Sequence, residues 1–434
     1  MHERKGLPLH WRIGIGLIIG LVLGLFCQFF VPADNEVLKT LTGQYTKPFG
    51  GLFLNLITMV VVPLIFSALV LGVGEIGAGG KLGRIGLRSL GLTVLLSATA
   101  VGIGLAAVNI FRPGDGLDKT ALAKFVDEKD TGKKVGQAKE AKGWVETIVD
   151  IVPKNPIDSA AKALEGGIMG VMFFALMFGI ALSQVEAEKA LPVTQFLEGI
   201  LAVSLRLVDM AMKFAPFGVA ALIFTATATL GVAALAALVK YALVVLGALA
   251  LHMFGVYSLV LKFVAKRSPL DFFRRIRPVM LTAFATSSSN ATLPTALRSA
   301  EQDLALPRDI SNFVLTVGAT ANQNGTALFE GITVLFLAQL FGIQLDVMQQ
   351  VTVMGMAIVA GIGTAGVPGG SWPFIAIILA SVGVPAEAIG LCLGVDRILD
   401  MSRTVLNVAG DMTIATCVAA MEGQPTQIPE AAGG

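Results

Sequence analysis

Residues 285–295 read ATSSSNATLPT, and they fall in the middle of an apolar stretch. Six hydroxyls, an asparagine and a proline break the run, yet little charge surrounds them. An aqueous loop would carry more charge. Non-helical backbone at membrane depth survives only when it is buried in protein or lines a water-filled cavity. Residues 361–373, GIGTAGVPGGSWP, pose the same problem, and so do residues 318–331, GATANQNGTALFEG. We read the breaks at 286–292 and 364–371 as the tips of two re-entrant hairpins. Broken helices of this kind present free N–H and C=O groups that can hold ions and substrate.

Outward from these breaks, the whole chain is oily. Of its 434 residues 55% are hydrophobic and only 14% are charged, which excludes an ordinary soluble domain. Apolar runs cover 13–31, 49–73 (with a kink expected at Pro63), 90–110, 166–182, 196–229 and 233–264, most of them long enough to span a bilayer. The first is too long for a signal-peptide core and lacks a small-residue cleavage site, so it is expected to remain as helix one. Cys27, Cys392 and Cys417 sit in apolar contexts without CxxC spacing and read as packing residues. The net charge of +2 identifies no partner, and nothing in the charge pattern calls for nucleic acid. The densest basic cluster, KRSPLDFFRRIRP at 266–278, marks the cytoplasmic side. Counting back six crossings places the N-terminus and the basic residues 81–88 inside, and the polar 112–160 segment outside.

The second polar feature is the stripe Asp396, Asp400, Arg403, Thr404, Asn407 and Asp411. Steps of three and four put these on one helix face. A charge turned to lipid would cost about 2.5–3.5 kcal/mol or more, so the stripe faces inward. A structural ion pair is the plainer account of one acid beside one arginine. Two further acids and an amide on the same face exceed that account. The guanidinium is a planar fork for a carboxylate, and the acids can take an ammonium or a cation.

These residues carry a family resemblance. SSSNATLP at 287–294, NQNGT at 322–326, AGVPGG at 365–370 and DRILDMSRTVLNVAGD at 396–411 together resemble the dicarboxylate/amino acid:cation symporters, the glutamate transporter homologues. The resemblance implies an all-α polytopic membrane protein of eight transmembrane helices and two re-entrant helical hairpins. It implies a homotrimer in the cell (inner) membrane, with both termini cytoplasmic and an elevator mechanism. Scaffold helices one and two would occupy 12–80, and helices four and five 161–229. Helix three at 81–111 and residues 230–420 would form the transport domain, with hairpins at about 271–305 and 345–382. Residues 112–160 would be the extracellular loop and 421–434 a cytoplasmic tail.

The site follows by the same resemblance. Arg403 would pair with the side-chain carboxylate of a small acidic amino acid, with Asp396 and Arg397 in support, and Asp400 would accept its ammonium. Thr326, Thr404 and Asn407 would flank it, Ser288 and Ser289 would meet its α-carboxylate, and Val367 and Gly370 would cover it. One sodium site would use Gly318, Asn322, Asn407 and Asp411. A second would use backbone near Thr320, Gly361, Ile362 and Thr364. Oxygen donors suit a hard cation.

Departures from the family fall at its third sodium site. Asn324 stands where the family has aspartate, and Leu96 beside Ser97 leaves one hydroxyl where the family tends to have two. Ser287 and Arg397 differ from the usual placement of a basic residue in archaeal relatives. Two sodium ions per substrate are therefore expected, with a proton able to replace one. Uptake of aspartate or glutamate is the leading function. A proton-coupled or C4-dicarboxylate symporter is the alternative within transport, and an anion channel the alternative outside it. An enzyme is not expected, because His2, His10 and His252 are far in sequence from the stripe.

Overall fold

A computed structural model describes residues 9–31, 35–74, 80–115, 152–163, 168–364, 369–385 and 388–423, all of the regular elements being helical. Most of the expected extracellular loop, the tip residue Val367 and the expected tail beyond 423 lie outside these residues.

α1 (Leu9–Phe30) is the first apolar run, beginning a few residues early. It packs along a much longer helix, α6. Gly16 and Gly20 make that approach possible. A Cβ on either would lie closer to the carbonyl oxygen of Pro216 or Ala220 than real Cβ atoms come. α2 (Lys47–Thr58) and α3 (Val61–Gly74) divide the second run. The break at Met59 and Val60 precedes the expected kink, because Pro63 offers no N–H to the carbonyl four residues back, that of Met59. α4 (Gly80–Phe111) extends the third run by three turns toward its basic end. There Arg84 and Arg88 bond Glu422, at 2.9 and 2.6 Å, tying the start of α4 to the end of the last helix.

α5 (Ile168–Leu182) matches its expected run, but the next two runs do not separate as expected. They form one 65-residue helix, α6 (Ala187–Leu251), continued by a π-turn and α7 (Tyr257–Phe263). Residues 230–234 contain one glycine and neither proline nor polar residue, so nothing there removes a backbone hydrogen bond. At 1.5 Å per residue, the 65 residues of α6 exceed what one bilayer crossing needs. It holds the apolar stretch Ala187–Thr229 and most of Leu235–Phe263.

The broken region folds as helix–turn–helix units. α8 (Arg277–Thr286) stops at Ser287, whose left-handed φ of 51° turns the chain, and α9 (Ser289–Gln302) returns against it. α10 (Arg308–Ala321) and α11 (Asn324–Leu340) are separated by non-helical Asn322 and Gln323. α12 (Val347–Gly363) begins with an Asp346–Gln349 capping box. α13 (Trp372–Ser381) follows a turn at Gly369, φ 78°. α14 (Asp396–Met421) carries the polar stripe.

Every residue of α11 except Gln339 is buried, and α14 is almost as fully enclosed. These two form the centre, with α4, α8, α9, α10 and α12 around them. Among the described residues, Arg12–Phe30, Gly83–Phe111, Ala187–Thr229, Leu235–Phe263 and Asp396–Met421 are long and apolar enough to cross a membrane. The fold is an all-α, multi-pass membrane architecture.

Candidate functional site

The stripe on α14 is inward along its whole length. Asp396, Asp400, Arg403, Thr404, Asn407 and Asp411 are each 9% exposed or less. Arg403 is the hub. Its Nη2 donates to Asp400 at 2.6 Å and lies 3.4 Å from Asp396, while Nη1 donates to Ser371 Oγ at 3.2 Å. The face of Phe329 lies 3.8 Å from the guanidinium carbon, a cation–π contact in a desolvated setting. One turn of helix brings Asp400 beside Arg403, but Ser371 and Phe329 arrive from other elements.

One polar cavity gathers Ser289, Thr326, Gly370, Asp400, Arg403, Thr404 and Asn407 with Ser287, Gln323, Thr364 and Ser371. Asn407 knits its walls together. Its Nδ2 donates to Gln323 Oε1 at 2.5 Å and to Thr326 Oγ at 3.1 Å, while its Oδ1 accepts the N–H of Gly325 at 2.7 Å. Gln323 Nε2 in turn reaches Ser289 Oγ at 3.5 Å. Of the two serines expected at the ligand, only Ser289 lines the cavity. Ser288 instead caps α9 through the N–H of Ala291 at 3.2 Å, and Ser287 takes its place. The left-handed turn at Ser287 shifts the facing by one residue. Arg397 lines a neighbouring cavity against Ile13, Phe53 and Met212, and its Nε has no hydrogen-bond partner among the described residues.

The expected cation oxygens fall in two groups. Asp411 accepts from Asn322 Nδ2 at 2.6 Å, has no basic partner among the described residues, and is buried against Gly318. A Cβ at Gly318 would meet Asp411 Oδ1 at 2.5 Å, so only glycine leaves this side open. Asn322 Oδ1 is buried without a hydrogen-bond partner among the described residues. A lone buried carboxylate with an unused amide oxygen is a donor set suited to a hard cation. In the second group Gly361 faces the Gln323 carbonyl, Ile362 and Thr364 are buried, and Thr320 is half-buried with its hydroxyl turned to the Val317 carbonyl. Asn324 stands apart, with Ser97 donating to its Oδ1 at 2.6 Å and its Nδ2 donating to Tyr257 at 3.1 Å.

Several polar neighbours escaped the sequence reading. Gln323 lies inside NQNGT, and Ser371 directly follows AGVPGG, so motif proximity could have flagged both. Glu330 is wholly buried on α11, and among the described residues neither carboxylate oxygen has a hydrogen-bond partner. An acid inside a membrane-depth helix is a functional candidate by default, which was the available signal. His252 is nearer the stripe than its position suggests. Its ring meets Tyr257 edge-on at 4.8 Å, and Tyr257 donates to the Leu406 carbonyl at 3.3 Å.

Comparison with known proteins extends over nearly the whole chain. The family model described as the sodium:dicarboxylate symporter family matches residues 9–421. The chain is 36% identical over 428 residues to a proton/sodium-glutamate symport protein of Geobacillus stearothermophilus, covering 97% of this chain and 96% of that protein. It is 32% identical over 414 residues to a proton/glutamate-aspartate symporter of Escherichia coli (strain K12), covering 95% and 93%. It is 28% identical over 419 residues to a C4-dicarboxylate transport protein of Anaeromyxobacter sp. (strain K), covering 95% and 90%.

Proposed function

The chain belongs to the sodium:dicarboxylate symporter family, and on that premise we propose that it performs secondary active symport of an acidic amino acid, aspartate or glutamate, coupled to sodium. The observation that carries this reading is the buried Arg403 fork beside the Asp400 carboxylate in a single polar cavity. Arg403 takes the substrate's side-chain carboxylate and Asp400 its ammonium. The fixed negative charge of Asp400 disfavours a dicarboxylate lacking an ammonium. The glutamate and glutamate–aspartate symporters among the relatives support the same choice.

Coupling ions reverse the electrical cost of moving an acidic amino acid into a negative interior, about 2.3 kcal/mol per charge per 100 mV. Asp411 and Asn322 supply the oxygen set for sodium. Glu330 favours a second reading, in which a proton replaces one sodium, because it is a buried carboxyl group at membrane depth without a hydrogen-bond partner among the described residues. Proton coupling also appears in the names of relatives.

The architecture we assign has eight crossings, two re-entrant hairpins and an elevator motion within a homotrimer. The packing supports that division: α1, α2, α3, α5 and the first half of α6 pack among themselves, and α8–α14 gather with α4. The contact of Arg84 and Arg88 with Glu422 supports a cytoplasmic C-terminus, since the basic start of α4 is the expected inner end. Uptake of labelled aspartate, glutamate and succinate into proteoliposomes under imposed sodium, proton and voltage gradients tests the function. Uptake of succinate alone, or currents independent of substrate, would overturn it.

A further inference from the structure

Resting on the substrate reading above, we propose that Trp372 is a positioning residue for the substrate-binding guanidinium, linking the returning arm of the second helix–turn–helix unit to Arg403. Trp372 opens α13 and is 1% exposed. It does not line the substrate cavity, so it acts through other side chains. Its indole N–H donates to Asp396 Oδ2 at 3.0 Å, and the other oxygen of Asp396 lies 3.4 Å from Arg403. Its ring meets Phe329 at 5.6 Å and 82°, edge to face, and Phe329 underlies the guanidinium at 3.8 Å. The residue just before it, Ser371, accepts directly from Arg403 at 3.2 Å. Two successive residues of one arm therefore bear on the same guanidinium, Ser371 directly and Trp372 through an acid and a ring.

The chemistry gives this contact a direction. A buried indole N–H needs an acceptor, and this one takes the carboxylate already paired with Arg403. Asp396 is thereby shared. The indole holds Oδ2, and Oδ1 meets Arg403 at 3.4 Å as an ion pair without a hydrogen bond. With the indole N–H removed, Asp396 is free to close on the guanidinium. A substrate carboxylate must then displace it. Trp372 thus keeps the fork available to the ligand. A residue that merely filled space would be replaced by phenylalanine with little effect on ligand affinity.

The test uses the full-length protein, purified and reconstituted. Isotherms of the wild type with aspartate, glutamate and succinate, in sodium, decide the substrate reading by themselves. The proposal is decided by the ratio of Trp372→Phe to wild type for whichever of these carboxylates binds. Loss of a hydrogen bond to a charged group predicts an affinity and KM about ten- to a hundredfold weaker, with kcat changed by no more than about twofold. Asp396→Asn keeps the packing of Trp372 and removes the competing charge, so Trp372→Phe in that background is expected to add little further loss. In a Trp11→Phe, Trp144→Phe background, the emission of Trp372 is expected to shift as the ligand titrates. An unchanged affinity in Trp372→Phe, a full additive loss on Asp396→Asn, or silent Trp372 emission during binding would each overturn the proposal. A fall in kcat with unchanged KM would do so as well.

Discussion

Replacing Asn324 with aspartate, together with Leu96→Thr, is expected to raise the sodium stoichiometry from two to three. The expectation of two in the native chain rests on how this amide is used. Both ends of the Asn324 amide are spent within the protein, on Ser97 at 2.6 Å and Tyr257 at 3.1 Å. The network is neutral, and buried Leu96 contributes no oxygen beside it. A cation there would displace the Ser97 bond, and none of Asn324, Ser97 and Tyr257 offers it a charge. The amount is readable as a reversal potential. For a substrate of charge −1 moving with n sodium ions, the potential shifts by n/(n−1) times about 59 mV per tenfold sodium gradient. Two ions give about 118 mV per decade of sodium and about 59 mV per decade of substrate, from the same constant. Three ions give about 89 and about 30 mV. Proteoliposomes with clamped voltage and varied gradients distinguish these slopes. Wild-type slopes matching three sodium ions would refute the argument and show that an amide suffices at this position. Insensitivity to sodium, with uptake following a pH gradient, would reassign the coupling ion.

Arg403→Cys removes the fork and leaves Asp396 and Asp400 buried without it, a type of loss that costs about 3–5 kcal/mol. Binding calorimetry is expected to show no measurable aspartate affinity, and near wild-type affinity would reject the residue's role. Asp400→Ser is expected to weaken aspartate by a few kcal/mol, about a hundredfold or more, while sparing succinate if the wild type binds it. Equal losses for the two ligands would make Asp400 structural. Glu330→Gln keeps the volume of the side chain and removes its exchangeable acid proton. Uptake driven by a pH gradient alone is expected to vanish while sodium-driven uptake persists, and retained proton-driven uptake would place the proton elsewhere.

The sequence by itself determined the membrane class, the interruptions at 285–295, 318–331 and 361–373, and the common face of Asp396 through Asp411. All three are local properties. Hydropathy, turn chemistry and the 3.6-residue period act within about 20 residues, so they are visible without knowing what packs where. The runs at 196–229 and 233–264 showed the limit of that logic, because an apolar junction without proline or polar residues carries no sign of whether a helix ends. Only the tertiary structure decided which hydroxyls face the cavity. One left-handed residue at Ser287 exchanged Ser288 for Ser287. The packing of separate helices also brought Gln323 to Asn407, 84 residues away, and Ser371, Trp372 and Phe329 around Arg403. Glu330 is enclosed without a hydrogen-bond partner among the described residues, and the apolar helix around it reads alike in sequence whether it faces lipid or protein. The arginine, the acids and the breaks are written in the order of residues. Their mutual distances come from how separate helices pack, which fixes contacts between positions that no local pattern connects.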